Sequence, residues 1–259
     1  MKVTILQTDI SWGNTTLNQF SVESIIEKLP QTDMYVLPEM WSTGFAIVPS
    51  AIAEDEEESL RHGSLAWMKK MAEKTDAAIC GSLAVRLNDG TYANRMYFIY
   101  PDGKTNSYSK RHLFSPGGED RSYKAGKERC IVKFRGVRFL LQICYDLRFP
   151  VWSRNQGDYD AIIYVANWPA PRHDVWTTLL RARALENQCY VIGVNRTGDD
   201  EACTYKGGSV IITPYGKIAA QCNDNIEDSA TGEIDMVMLD KFRVSFPVHN
   251  DRDLFILNP

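Results

Sequence analysis

A layered α/β domain, with mixed sheets inside and helices outside, is the fold class this sequence predicts. Three observations carry the prediction. Short apolar runs rich in β-branched residues alternate with segments of helical periodicity along most of the chain. Two turn signals, Pro101-Asp102-Gly103 and Pro214-Tyr215-Gly216, join neighbouring strand-like runs into hairpins, and hairpins require antiparallel pairs. No flexible linker, low-complexity segment or short repeat interrupts the 259 residues, so a single domain over residues 1–259 is expected.

The strand-like runs are residues 3–6, 34–37, 77–85, 96–100, 137–143, 161–166, 190–194 and 209–213. Val22, Ile25, Ile26 and Leu29 recur at helical spacing and put one apolar stripe on a first helix. Asn14 is its candidate cap, and Pro30 cannot continue it. The acidic run Glu54-Asp55-Glu56-Glu57-Glu58 reads as a solvated face ahead of a helix over residues 59–74, where negative charge suits the helix dipole. Another helix is expected over residues 174–188, with Asp174 as its cap. From Phe242 onward the tail lacks a regular pattern yet carries Phe246, Phe255, Ile256 and Leu257. Two placements are open for it: across to a partner subunit, or back onto its own chain.

Composition excludes several function classes. The net charge is −4, which gives no electrostatic basis for binding nucleic acid or an anionic membrane. The apolar stretch at residues 1–6 is too short for a signal peptide and Asp9 soon interrupts it. No run reaches the ~20 apolar residues of a membrane span. The six cysteines, at 80, 130, 144, 189, 203 and 222, form no C-x-x-C pair, so neither a zinc knuckle nor a thioredoxin-like motif is expected. Several lie in apolar runs, which fits a reducing, cytoplasmic setting. His62, His112, His173 and His249 show no metal-ligand spacing, and no metal is expected.

The residues just beyond the strand-like runs suggest the chemistry. Residues 34–37 lead into Pro38-Glu39, residues 137–143 into Cys144-Tyr145-Asp146, and residues 161–166 into Asn167-Trp168-Pro169. In layered α/β folds, sites gather beyond the carboxyl ends of strands. A free thiol with a pKa near ~8.5 is only slightly ionised at neutral pH, so a catalytic cysteine needs a base or a nearby cation. No histidine is identifiable as the partner of Cys144. A glutamate of raised pKa takes such a proton, and a lysine stabilises both the thiolate and the oxyanion formed on attack. Spacing alone does not bring these groups together. Taken singly, Cys144 reads as a core residue, Glu39 as a turn carboxylate and Lys110 as a surface charge.

Three segments, Leu37-Pro38-Glu39-Met40, Tyr108-Ser109-Lys110-Arg111-His112-Leu113-Phe114 and Ile143-Cys144-Tyr145-Asp146-Leu147-Arg148-Phe149-Pro150, resemble in order the signature blocks of the nitrilase superfamily of carbon–nitrogen hydrolases. The likeness continues through Asn167-Trp168-Pro169, the helix motif at residues 181–188 and the hairpin at Pro214-Tyr215-Gly216, and so covers nearly the whole chain. This resemblance implies a four-layer α-β-β-α sandwich with mixed sheets, and dimers or larger homo-oligomers formed through exposed helices. It implies no metal or organic cofactor. Position by position, it implies that Cys144 is the nucleophile, Glu39 the general base and Lys110 the oxyanion stabiliser. Glu119, in Gly117-Gly118-Glu119-Asp120, resembles the further carboxylate that holds the lysine and the incoming amine or water. The backbone N–H of Tyr145 would be the second oxyanion donor. Arg183 and Glu186 read as a structural ion pair, and Cys80, Cys130, Cys189, Cys203 and Cys222 as structural or incidental.

The segment Pro38-Glu39-Met40-Trp41-Ser42-Thr43-Gly44-Phe45, with Asn167-Trp168-Pro169-Ala170-Pro171-Arg172, most resembles the ω-amidase branch. That likeness implies a small-molecule amide substrate: a 2-oxo acid with a terminal amide, 2-oxoglutaramate or 2-oxosuccinamate. Arg148 and Arg172 are candidates to grip its carboxylate, because guanidinium forks match carboxylates. Trp41, Phe45 and Trp168 are candidate pocket walls. The competing readings are core packing for the aromatics and an ion pair for Arg148. Nitrile hydrolysis or N-carbamoyl cleavage would use the same Glu, Lys and Cys. A non-catalytic binding protein need not retain all three. A redox role would require a resolving cysteine, Cys130 or Cys189, near Cys144.

Overall fold

The central strands are apolar on both faces because both faces are covered. The computed structural model describes residues 1–257. Strands β1 (Lys2–Gln7), β2 (Met34–Val36), β3 (Glu54–Asp55), β4 (Ala78–Arg86), β5 (Tyr92–Ile99) and β6 (Thr105–Ser109) lie in one sheet. The other contains β7 (Ile131–Phe134), β8 (Val137–Ile143), β9 (Ala161–Ala166) and β10 (Tyr190–Asn195). The short pair β11 (Thr197–Asp199) and β12 (Thr204–Lys206) stands apart, β13 (Val210–Ile212) and β14 (Ile218–Gln221) complete the second sheet, and β15 (Asp228–Glu233) returns to the first. The sheet orders are β15-β1-β2-β4-β5-β6, with β3 added against β4, and β14-β13-β10-β9-β8-β7. Each has three parallel strands at its centre, β1-β2-β4 and β8-β9-β10, flanked by antiparallel neighbours, apart from the short β3, which pairs parallel with β4. Both expected hairpins are present, joining β5 to β6 and β13 to β14.

Side-chain alternation builds three cores. In β9, Ile163 and Val165 face the space between the sheets, where they meet Val3, Val36, Cys80 and Phe98 of the first sheet. Ile162 and Tyr164 face outward against Trp176, Leu180 and Ala184 of α5 (His173–Asn187). The outer face of the first sheet packs Leu37, Ile79 and Tyr97 on Val22 and Ile26 of α1 (Thr15–Ile26) and on Leu65, Met68 and Met71 of a third helix. The layers are therefore helix, sheet, sheet, helix, as expected. Trp176 is fully buried and its indole N–H donates to the Gly208 carbonyl at 2.9 Å. Trp176→Ala is expected to cost about 3–5 kcal/mol, read from chemical denaturation, because it opens a cavity and orphans that carbonyl; a loss below about 1 kcal/mol would mean the helix layer contributes little there.

Helix ends separate what was expected from what forms. Asn14 caps α1 by accepting from the Leu17 N–H, as predicted. The single helix expected over residues 59–74 is two, α2 (Glu56–His62) and α3 (Ser64–Thr75), divided at Gly63. A Cβ at Gly63 would run into the Ser59 backbone and the Glu54 carboxylate. That carboxylate accepts from the Ser64 N–H at 2.8 Å and from the Ser59 and Ser64 hydroxyls, so it pins the break. The acidic run is only partly a solvated face. Asp55 caps α2, and Glu56 accepts from Arg95 at 2.7 Å and Tyr97 at 2.6 Å, while Glu57 and Glu58 are exposed.

Asp174 does not cap α5. A 3₁₀ turn at Ala170–Arg172 runs straight into the helix, so Arg172 takes the cap position and Asp174 lies in the first turn. The chain continues through the short α4 (Pro150–Ser153) before α5, and α6 (Met236–Ser245) follows β15. The last turn of α6 includes Phe242, at the start of the tail that shows no pattern in the sequence; only Leu239 of that helix is buried, so no apolar stripe signals it. In the described part of the tail, Leu257 packs against the inter-sheet core, while Leu254 and Ile256 are exposed. Pro259 lies outside the described residues.

Candidate active site

Four strand ends converge at one edge of the sandwich. Glu39 follows β2, Lys110 follows β6, Cys144 follows β8 and Asn167 follows β9. Met40 and Cys144 both hold left-handed backbone, with φ of 44°. Such conformations are costly for non-glycine residues and persist where the surroundings impose them. At Met40 the N–H donates to Ser82 Oγ at 2.9 Å. At Cys144 the chain leaves β8 for a short 3₁₀ turn, Cys144–Arg148.

The polar groups form one buried cluster. Lys110 Nζ donates to Glu39 Oε1 at 2.9 Å and to Glu119 Oε2 at 2.8 Å, with the lysine 1% exposed and both glutamates 0%. The Phe114 N–H donates to Glu119 Oε2 at 2.6 Å. The Asn167 N–H donates to Glu39 Oε2 at 2.8 Å, and its side-chain amide donates to the Glu39 carbonyl at 2.7 Å. Asn94 is a member that the sequence reading misses. Its amide donates to Glu39 Oε1 at 2.6 Å and Glu119 Oε1 at 3.2 Å, while its oxygen accepts from Ser82 Oγ at 3.0 Å. A polar residue inside the apolar strand Tyr92–Ile99 is the signal available for it.

Charge follows from this packing. Burial opposes the Lys110 ammonium, but the Glu119 and Glu39 carboxylates outweigh it and hold the lysine well above its ordinary range. Burial pushes Glu119 up, and Lys110 only partly offsets that. Burial and the Glu39 charge push the Cys144 thiol well up, against the pull of Lys110. Both influences work against the thiolate, so forming it needs a group that takes the proton. Tyr145, which lines the cavity, is the second residue of the 3₁₀ turn, where N–H groups have no partner within the turn. Arg183 and Glu186 form the expected ion pair at 2.9 Å, and Arg183 also donates to the Leu147 carbonyl at 2.6 Å, bracing the turn from below.

Cys144, Glu39 and Lys110 line a cavity of about 680 Å³. Phe45 and Trp168 are in its wall, as expected, with Phe45 over Lys110 at 5.4 Å. Trp41 is not. Two residues beyond Glu39, past the Met40 turn, it points into the helix–sheet core against Trp67, with ring centroids 4.9 Å apart. Gly81 leaves room for it, since a Cβ there would meet Trp41 at 2.9 Å. Arg148 and Arg172 both line the cavity, and neither has an ion-pair partner among the described residues. Arg148 stacks over Trp168 at 5.1 Å instead of forming the ion pair weighed for it, and Arg172 stacks over Phe114 at 5.4 Å. Cys203 lines the same cavity, whereas Cys189 lies in the outer core and Cys130 packs at the inter-sheet core.

The Carbon-nitrogen hydrolase family model matches residues 2–244. This chain belongs to that family. It is 45% identical to the omega-amidase YafV of Yersinia enterocolitica over 258 residues, covering 99% of this chain and 98% of that one. It is 38% identical to a 2-oxoglutaramate amidase of Bacillus subtilis, covering 98% and 100%. A CN-hydrolase superfamily protein of Xanthomonas campestris, whose crystal structure carries an arsenic adduct in the active site, superimposes with a TM-score of 0.95 at 36% identity over 100% of this chain and 99% of that one.

Proposed function

We propose that this chain is an ω-amidase, a single catalytic domain that hydrolyses the terminal amide of 2-oxo acids such as 2-oxoglutaramate and 2-oxosuccinamate. The observation that carries the reading is the Cys144 thiol lining one cavity with Glu39 and Lys110 of a buried Glu39–Lys110–Glu119 cluster, a cavity that also offers two guanidinium groups without carboxylate partners among the described residues. Sequence likeness to proteins named omega-amidase and 2-oxoglutaramate amidase supports it.

In this mechanism Cys144 Sγ attacks the amide carbon while Glu39 takes the thiol proton. The carbonyl oxygen becomes an oxyanion held by Lys110 Nζ and the Tyr145 N–H. Glu39 returns the proton to the nitrogen, the C–N bond breaks and ammonia leaves a thioester. Water then attacks, giving its proton to Glu39; the C–S bond breaks and the thiol regains a proton. Glu119 holds Lys110 in place through both halves. No cofactor enters any step.

The protein works in the cytoplasm as a homodimer or larger homo-oligomer. Among the described residues no helix is long and apolar enough to cross a membrane, and all six cysteines are free. Val237 and Val244 of α6, Phe246 just beyond it, and Leu254 and Ile256 of the tail are exposed apolar residues, available to another copy of the chain.

Ammonia release from a panel of amides tests the substrate. 2-Oxoglutaramate is expected to outpace glutamine, whose ammonium must be desolvated among apolar walls. The acidic residues of the cavity offer it little: Glu39 is held by Lys110 at 2.9 Å and the Asn167 N–H at 2.8 Å, Asp200 is taken by Tyr205 at 2.8 Å and Arg196 at 3.4 Å, and Glu201 is exposed. Arg172→Ala or Arg148→Ala should raise KM for the oxo acid about tenfold or more, the scale of a lost charged hydrogen bond, and leave a neutral aliphatic amide within about twofold. Glutamine hydrolysed as fast as the oxo acid would refute the ω-amidase reading. Equal effects on charged and neutral amides would move the carboxylate contact to another residue.

A further inference from the structure

Within the nucleophile turn lies a third fully buried carboxylate beside those of Glu39 and Glu119, that of Asp146, which is 0% exposed. It touches neither Glu39 nor Lys110 through any hydrogen bond. Its Oδ2 accepts from the Tyr108 hydroxyl at 2.8 Å and from the Ile143 N–H at 3.0 Å. Its Oδ1 accepts from the His112 N–H at 2.9 Å and from His112 Nδ1 at 2.8 Å. In the tautomer that carries a proton on Nδ1, that imidazole nitrogen donates to Asp146. The four partners have a pattern. Tyr108 and His112 lie two residues before and two residues after Lys110, and Ile143 directly precedes Cys144. One side chain therefore grips the lysine segment on both sides and the nucleophile strand at its last residue.

The surroundings stiffen the grip. The Trp152 indole N–H donates to the Tyr108 hydroxyl at 3.0 Å, and the Arg111 N–H donates to the same oxygen at 3.2 Å. The His112 ring stacks on Phe149 with centroids 3.8 Å apart and an interplanar angle of 9°. Lys110 and Cys144 come from different sheets, β6 at the edge of one and β8 in the other. The oxyanion donors Lys110 Nζ and Tyr145 N–H must both sit about 3 Å from one substrate oxygen, and catalysis is sensitive to displacements of about 1 Å.

We propose that Asp146 is a positioning residue for amide hydrolysis: its buried carboxylate clamps the Tyr108–His112 segment to the Cys144 turn and so sets the spacing between the two oxyanion donors. The proposal rests on the catalytic roles assigned above to Lys110 and Cys144.

The test compares Asp146→Asn, Tyr108→Phe and the double variant with wild type, at a temperature well below each melting midpoint. Asp146→Asn keeps the shape but turns one acceptor into a donor facing donors. Its kcat for 2-oxoglutaramate is expected to fall about 100-fold with KM changed less than about threefold. Tyr108→Phe, which removes one hydroxyl and keeps the core filled, should lose a smaller part of kcat. The double variant should be no worse than Asp146→Asn, because both act through one clamp. The rate at which iodoacetamide alkylates Cys144, read by intact mass, should fall at least about fivefold in Asp146→Asn. That measurement needs no amide turnover: if wild type hydrolyses no ω-amide, the functional reading fails while the alkylation rate still decides the clamp. Full kcat and alkylation rate in Asp146→Asn, or additive losses in the double variant, would overturn the proposal.

Discussion

Cys144→Ala is expected to abolish ammonia release while leaving the fold intact. The substitution removes one sulfur from a residue whose left-handed backbone is imposed by the strand end and the 3₁₀ turn, and alanine meets the same backbone as cysteine did. The melting midpoint should move by a few degrees at most. Turnover should fall about 10⁴-fold or more, the scale of losing a covalent nucleophile. Cys144→Ser is expected to be nearly as inactive. A hydroxyl is harder to deprotonate than a thiol, and no histidine among the described residues lines the cavity to take its proton. Burial and the Glu39 charge work against a thiolate at Cys144, so attack is expected to depend on Glu39 taking the proton. Near-wild-type ammonia release from either variant would remove Cys144 from the mechanism.

Glu39→Gln and Lys110→Ala should be the next most damaging changes, and they should fail differently. Glu39→Gln keeps the volume and an acceptor for Lys110, but places an amide against the Asn167 N–H that Oε2 now accepts from. Loss of the base should cost about 10²–10⁴-fold in kcat. Any thioester that forms should persist, since activating water needs the same carboxylate, and intact-mass spectrometry would reveal it on Cys144. Lys110→Ala removes an oxyanion donor, worth about 10²–10³-fold. It also leaves Glu39 and Glu119 buried without their cation, which should destabilise the fold by about 3–5 kcal/mol. Activity must therefore be measured on protein shown to be folded. Full turnover in both variants would refute the roles given to these residues.

Part of this fold is legible in the sequence alone. Strands β8 and β9 can be read to the residue, because unbroken apolar runs bounded by turn residues leave few alternatives. The edge strand β15, with the sequence DSATGE, cannot, because its residues are mostly half-exposed and carry no apolar pattern. Helix α6 escapes for the same reason, with a single buried residue. The break at Gly63 escapes because the force that makes it, the Glu54 carboxylate bridging two serines, has no periodicity to detect.

The site divides in the same way. The order Glu39, Lys110, Glu119 and Cys144, and the placement of each beyond a strand or in the loop after one, are properties of the sequence, since reactive groups following apolar runs emerge at strand ends wherever the sheets lie. Which side chains meet was decided by the tertiary structure alone. Trp41 and Phe45, four residues apart, look equally suited to a pocket wall; the Met40 turn sends the first into the helix–sheet core and the second over Lys110. Asn94 and Asp146 become legible only in the folded chain, because Glu39 and Glu119 lie 55 and 25 residues from Asn94, Tyr108 and His112 lie 38 and 34 residues from Asp146, and contact across that distance leaves no mark in local pattern. The sequence determined the chemistry available to this protein, through the kinds of groups it places at strand ends. The packing of one sheet on the other decided which of those groups share a buried space, because only there do charge and hydrogen bonding become strong enough to shift a thiol, a lysine and a carboxylate together.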